Sequence, residues 1–111
     1  MDFNEKLVDI DDGLSRLGGN MTLYKRLLGR FIAGNHYDAL DVAVQSGDVE
    51  EVSRQAHTLK GVSANLSLIK VSSLSLELEQ NIKNNLDYSA SLTELKEAYD
   101  ATVDEINEIM K

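Results

Sequence analysis

Ala56-His57-Thr58-Leu59-Lys60-Gly61-Val62-Ser63-Ala64-Asn65-Leu66 is the stretch from which the chain is best read. Val49, Val52, Ala56, Leu59 and Ser63 recur at steps of three and four. At about 100° per residue this spacing predicts a helix with one buried stripe. His57 lies off that stripe. Lys60 and Gly61 follow it by one turn and stand beside the imidazole, Ser53 and Arg54 lie one turn before, and Ala64 lies one turn beyond. One solvent-facing strip therefore carries a histidine, two cations and small residues.

What the strip lacks narrows its chemistry. A metal-binding histidine normally has another His, Cys or carboxylate one turn away, and the helical neighbours here are Ser53, Arg54, Lys60 and Gly61, so no metal is expected. A histidine that activates a nucleophile needs a Ser or Cys partner and an orienting carboxylate, and the chain has no cysteine. What remains is an imidazole that itself reacts with an anion. Lys60 and Arg54 can neutralise a phosphoryl group, and Gly61 leaves room for one to approach. Spacing alone also accommodates plainer readings: an exposed helix histidine, a solvated lysine, and an arginine paired with Glu50 or Glu51. Gly61 resists the plain reading, because a mid-helix glycine costs about 1 kcal/mol relative to alanine.

A chain of 111 residues has room for one core and not for a separate nucleotide-binding module, so it is expected to be a single domain over 1–111. No glycine-rich phosphate loop is present, and no autonomous kinase activity is expected. The net charge of −8 argues against nucleic acid or an anionic membrane surface and for protein partners. The absence of cysteine, of a signal-like N-terminal pattern and of any run near the roughly 18 apolar residues of a membrane span leads to the expectation of a cytoplasmic protein, without membrane insertion and monomeric. Zero proline suits uninterrupted helices.

Taken in order, Met1 to Ile10 reads as a frayed or partly docked arm. Asp9 to Leu17 predicts a short helix capped by Asp11 or Asp12 and ended by Gly18-Gly19. Asn20 then caps a long amphipathic helix from Met21 to about Gln45, weakened at Gly29 and Gly34. Ser46-Gly47-Asp48 breaks the chain, with Asp48 as cap and Glu51 at the capping-box position. The His57 helix runs to about Asn65, and Leu66-Ser67 leads into Leu68 to Asn84, with Val71, Leu74, Leu78 and Ile82 buried. After the polar turn at Asn84, Asn85 and Asp87, a last helix starts near Ser91 with Glu94 as its box residue. Its apolar face is Leu95, Ala98, Tyr99, Thr102, Val103, Ile106 and Met110. The pattern predicts an all-α fold: an antiparallel up-down four-helix bundle with a short additional N-terminal helix. His36, amid Asn35, Tyr37 and Asp38, reads as an ordinary partly exposed residue.

His57-Thr58-Leu59-Lys60-Gly61, followed by Ser63-Ala64-Asn65-Leu66 and Leu78-Glu79, resembles the histidine-containing phosphotransfer (HPt) domain of two-component phosphorelays. The likeness extends upstream to Asp12-Gly13-Leu14-Ser15-Arg16-Leu17-Gly18-Gly19-Asn20 and to Leu27, Leu28 and Phe31. It implies that His57 accepts a phosphoryl group from the aspartyl phosphate of a response-regulator receiver domain and relays it to another. Lys60 and Arg54 would stabilise the phosphoryl group, while Gly61, Ser53 and Ala64 would allow close docking. The resemblance also implies that Glu79 orients the ring, that Mg²⁺ comes with the receiver and none is bound here, and that a hybrid histidine kinase is a further partner. A helical adaptor that binds receivers or kinases without phosphotransfer is the alternative. Ser67 departs from the family pattern, which often has glycine there, and this bears on the geometry of its turn.

Overall fold

Helices account for all the regular structure of residues 6–111, the part of the chain that the computed structural model describes. They are α1 (Ile10–Arg16), α2 (Met21–Gly34), α3 (His36–Ser46), α4 (Val49–Asn65), α5 (Ile69–Lys83) and α6 (Ser89–Ile109). Helix α4 packs most extensively on α5 and also on α3, α5 packs on α6, and α6 reaches back to α2. None of these helices is long and apolar enough to cross a membrane.

Four of the turns stop the preceding helix in the same way, with a left-handed residue and two hydrogen bonds back to the last turn. Gly18, Gly47 and Asn85 hold this position at φ 65°, 74° and 56°. After α4 the left-handed residue is Ser67, at φ 59°. Its N–H donates to the Ala64 carbonyl at 3.1 Å, and the Leu68 N–H donates to the Ser63 carbonyl at 2.9 Å. A side chain is unfavourable in this conformation, and here it is tied down: the Ser67 hydroxyl donates to Asp12 Oδ2 at 2.6 Å and its carbonyl accepts the Asp9 N–H at 2.9 Å. The turn keeps the left-handed geometry that a glycine would supply.

Several boundaries differ from the sequence reading. The long helix expected from Met21 to Gln45 is two helices, because Asn35 adopts the left-handed conformation at φ 46°. Asparagine tolerates it, and the break lets His36 turn back against Phe31, with ring centroids 5.5 Å apart. The cap of α1 is Asp9, which accepts the Asp12 N–H at 3.1 Å, whereas Asp12 is engaged by Ser67 and by Arg16 Nε. Asn20 and Asp48 do cap α2 and α4. Helix α6 begins at Ser89 rather than Ser91: Asp87 accepts from the Ser89 N–H and hydroxyl, while Ser91 is buried and accepts from Asn81 Nδ2 at 2.7 Å. Of the arm expected over Met1 to Ile10, residues 1–5 lie outside the described residues, and the remainder is docked through buried Val8 and the Asp9 N–H.

The core joins all six helices in one cluster. Tyr24 and Leu28 of α2, Leu40 of α3, Leu59 of α4, Leu78 of α5 and Leu95 of α6 are fully buried, each Leu contributing about 1.5–3 kcal/mol. The expected stripes hold except at helix ends, where Val49 and Met110 are exposed. Tyr24 closes the N-terminal side. Its hydroxyl donates to the Leu66 carbonyl at 2.7 Å, and a Cβ on Gly13 would stand 2.6 Å from its ring. The glycine is therefore required for α1 to lie on α2.

Gly13→Ala is expected to destabilise the protein by about 1–3 kcal/mol, because the ring it would displace is held by its own hydroxyl; urea melts measure this. Tyr24→Phe should cost about 0.5–1.5 kcal/mol at neutral pH. Burial, with Asp9, Asp12 and Glu105 nearby, pushes the Tyr24 phenol up to about 12, against about 10 in an unfolded chain. The folded state thus holds this proton more tightly. The resulting stability is complete below pH of about 10 and is lost as pH rises toward about 12. Alkaline melts of Tyr24→Phe should accordingly fall less steeply over that range than those of the unaltered protein.

Candidate functional site

Helix α4 places the site residues. Asp48 starts it by accepting the Glu51 N–H at 3.2 Å, and Glu50 and Glu51 in its first turn complement the positive end of the helix dipole. Glu51 does not close the expected box. Its carboxylate instead takes the Arg54 guanidinium and Gln55 Nε2. Val52, Ala56, Leu59 and Ser63 are buried, which turns His57 outward, its side chain 65% exposed. Ser63 satisfies its hydroxyl on the Leu59 carbonyl at 2.6 Å, so a polar residue fits the stripe at no cost in unpaired groups.

Helix α5 brings Glu79 to the same face. Its side chain is only 7% exposed, and Oε2 lies 2.9 Å from His57 Nδ1. A carboxylate only accepts, so in the neutral ring Nδ1 carries the proton and Nε2 the lone pair. Lys60 Nζ stands 3.7 Å from Glu79 Oε1, and Lys83 Nζ stands 3.7 Å from Oε2. Removing a carboxylate from water is costly unless donors surround it. Three surround this one, and the ring is held as part of the same arrangement.

The structure thus brings His57, Lys60 and Glu79 together. Arg54 pairs with Glu51 one turn back, the partner that the plainer of the two readings of the spacing gives it. Gly61 and Ala64 are exposed and Ser53 is half-buried along the same helix. A Cβ on Gly61 would meet nothing within 4 Å, so folding does not require glycine there. His36 packs against Phe31, apart from this group. Lys83 was missed by the sequence reading, although its place four residues after Glu79 on one helix was visible as an i, i+4 pair.

His57 lines none of the three main surface grooves. The site is an open helix face rather than a cavity, and no group of three or more metal-ligating side chains is assembled among the described residues. An oriented imidazole with one free ring nitrogen, two ammonium groups close by and no enclosure suits attack on an anionic centre carried by a macromolecule.

The model of the Hpt domain matches residues 27–106, from within α2 to the last turns of α6. No curated protein and no solved structure matched the chain. The matched stretch spans the greater part of the sequence and contains His57, Lys60, Glu79 and Lys83. The chain therefore belongs to the Hpt domain family.

Proposed function

We propose that this protein is a phosphorelay intermediate in which His57 Nε2 accepts a phosphoryl group from the aspartyl phosphate of a receiver domain and passes it to the aspartate of another. The observation that carries this reading is the hydrogen bond from His57 Nδ1 to buried Glu79, which leaves Nε2 as the nucleophile on an exposed face. In the forward step Nε2 attacks phosphorus, the P–O bond of the acyl phosphate breaks, and the receiver's carboxylate leaves. The transition state is loose, and its demands are positioning and positive charge around the moving oxygens. Lys60 supplies charge from one turn away, and Mg²⁺ would arrive with the receiver.

Gly61, with Ser53 and Ala64 on the same helix, keeps the approach low enough for in-line transfer. The open face accounts for the kind of partner: the receiver must supply the walls that exclude water from the reacting groups. The same reading takes the chain as one such domain, its bundle helices running up and down, working as a cytoplasmic monomer with a receiver or a hybrid histidine kinase.

His57→Gln should abolish acceptance from a phosphorylated receiver while changing stability by about 0.5 kcal/mol or less, since the side chain is exposed and Glu79 keeps its lysines. Leu59→Ala, two residues on and fully buried, should instead destabilise the fold by about 2–5 kcal/mol. Rapid-quench transfer assays paired with thermal melts separate the two. Acceptance by His57→Gln would overturn the assignment, and stable binding of a receiver without transfer by the unaltered protein would favour an adaptor.

Gly61→Ala should raise helix stability by up to about 1 kcal/mol, there being nothing for the methyl to strike. Gly61→Glu should fold as well but transfer slowly, because it places bulk and negative charge beside the phosphoryl path, where a displacement of about 1 Å can cost on the order of a hundredfold. An undiminished rate in Gly61→Glu would locate the docking face elsewhere.

A further inference from the structure

Lys83 stands 3.7 Å from the carboxylate that holds the ring, and nothing in the phosphotransfer reading above uses it. Its Nζ and His57 Nδ1 converge on one oxygen, Glu79 Oε2, at 3.7 and 2.9 Å. The Lys83 side chain is 67% exposed whereas that of Lys60 is 30% exposed, so Lys83 is the freer of the two ammonium groups to move. Arg54, the other cation within a turn of His57 on α4, is paired with Glu51 one turn back, away from Glu79. Glu79 and a phosphoryl group on Nε2 would compete for the same ammonium groups. The phosphoryl group, with more charge and three acceptor oxygens, is the stronger acceptor.

We propose that Lys83 is a phosphoryl-binding residue, its ammonium passing from Glu79 to the phosphoryl oxygens when His57 is phosphorylated and forming with Lys60 a clamp supplied by two helices. This rests on the phosphotransfer reading of His57. Lys60 approaches from the helix that carries the histidine, and Lys83 approaches from α5 across the interhelical groove. Together they place positive charge on two sides of the phosphoryl group, where a single cation on α4 would leave one side to water.

Phosphoramidate tests the clamp without a receiver. Nε2 attacks phosphorus, the P–N bond breaks, and ammonia leaves with the electron pair. The rate of labelling and the lifetime of the phosphohistidine are compared among the unaltered protein, Lys83→Met, Lys83→Arg and Lys96→Met. Lys96 is the control because it is a similarly exposed lysine engaged with Asp100 and Tyr37. Lys83→Met should lower the labelling rate and the phosphohistidine lifetime together by about three- to tenfold at low salt, less at high salt, as expected for a partly solvated charge-assisted contact. Lys83→Arg should restore most of the loss, and Lys96→Met should stay within about twofold of the unaltered protein.

The ¹⁵N shifts of the unphosphorylated His57 ring should be the same in Lys83→Met as in the unaltered protein. A change in tautomer there would assign the loss to ring positioning and overturn the proposal. Labelling of Lys83→Met at the rate of Lys96→Met would overturn it too, leaving the phosphotransfer reading intact. Failure of the unaltered protein to label, or equal labelling of His57→Gln, would overturn both.

Discussion

The turn at residues 66–68 sets the register on which the site depends. His57 and Glu79 are 22 residues apart and meet only because α4 stops at Asn65 and α5 starts at Ile69. One more residue of helix before the reversal would rotate α5 by about 100° relative to α4 and carry Glu79 off the shared face. The chain fixes the reversal by placing Ser67 in a left-handed conformation and then anchoring it from three sides. Tyr24 holds the Leu66 carbonyl, Asp9 donates its N–H to the Ser67 carbonyl, and Asp12 takes the Ser67 hydroxyl. The short helix α1 thus serves the site at a distance: its cap Asp9 and its first-turn Asp12 are two of the three anchors for the turn that aligns His57 with Glu79.

Glu79 shows how a charge can be kept in a helical interface. With its side chain only 7% exposed, the carboxylate replaces lost water with Nδ1–H of His57 and the ammonium groups of Lys60 and Lys83. Because three donors share the carboxylate, loss of one leaves two to balance it, and the ring is held by a group that is itself fixed. An exposed histidine would otherwise sample several rotamers and both tautomers. Here its ring is tied by one nitrogen to a rigid element, and the other nitrogen is left for chemistry.

The surface follows the same division between what folds and what reacts. Val52, Ala56, Leu59 and Ser63 turn one side of α4 into the core, and the opposite side carries a small, open strip in which a Cβ added to Gly61 would meet nothing. A folded protein gains nothing from a glycine in such a place and loses about 1 kcal/mol of helix propensity by keeping it. Its presence is explained by what must come close from outside.

Much of this was legible from periodicity. The steps of three and four that bury Leu59 also push His57 outward, the Asn20 and Asp48 caps are read from the polar residue before each run, and the family pattern around His57-Thr58-Leu59-Lys60-Gly61 is local in sequence. The break at Asn35 was legible but missed: at about 100° per residue Leu40, nine residues after Phe31, falls on the opposite side of a continued helix, so one unbroken helix could not bury both on a single stripe. The cap at Asp9 was hidden for a different reason: Asp9, Asp11 and Asp12 are equivalent until Ser67, 55 residues from Asp12, claims one of them. Glu79 could be placed at the edge of a buried stripe, but its bond to His57 and its sharing of Lys60 and Lys83 are relations between α4 and α5. Helical spacing determines which side of its own helix a residue faces. Only packing, through the length of the α4–α5 turn, decides what stands opposite.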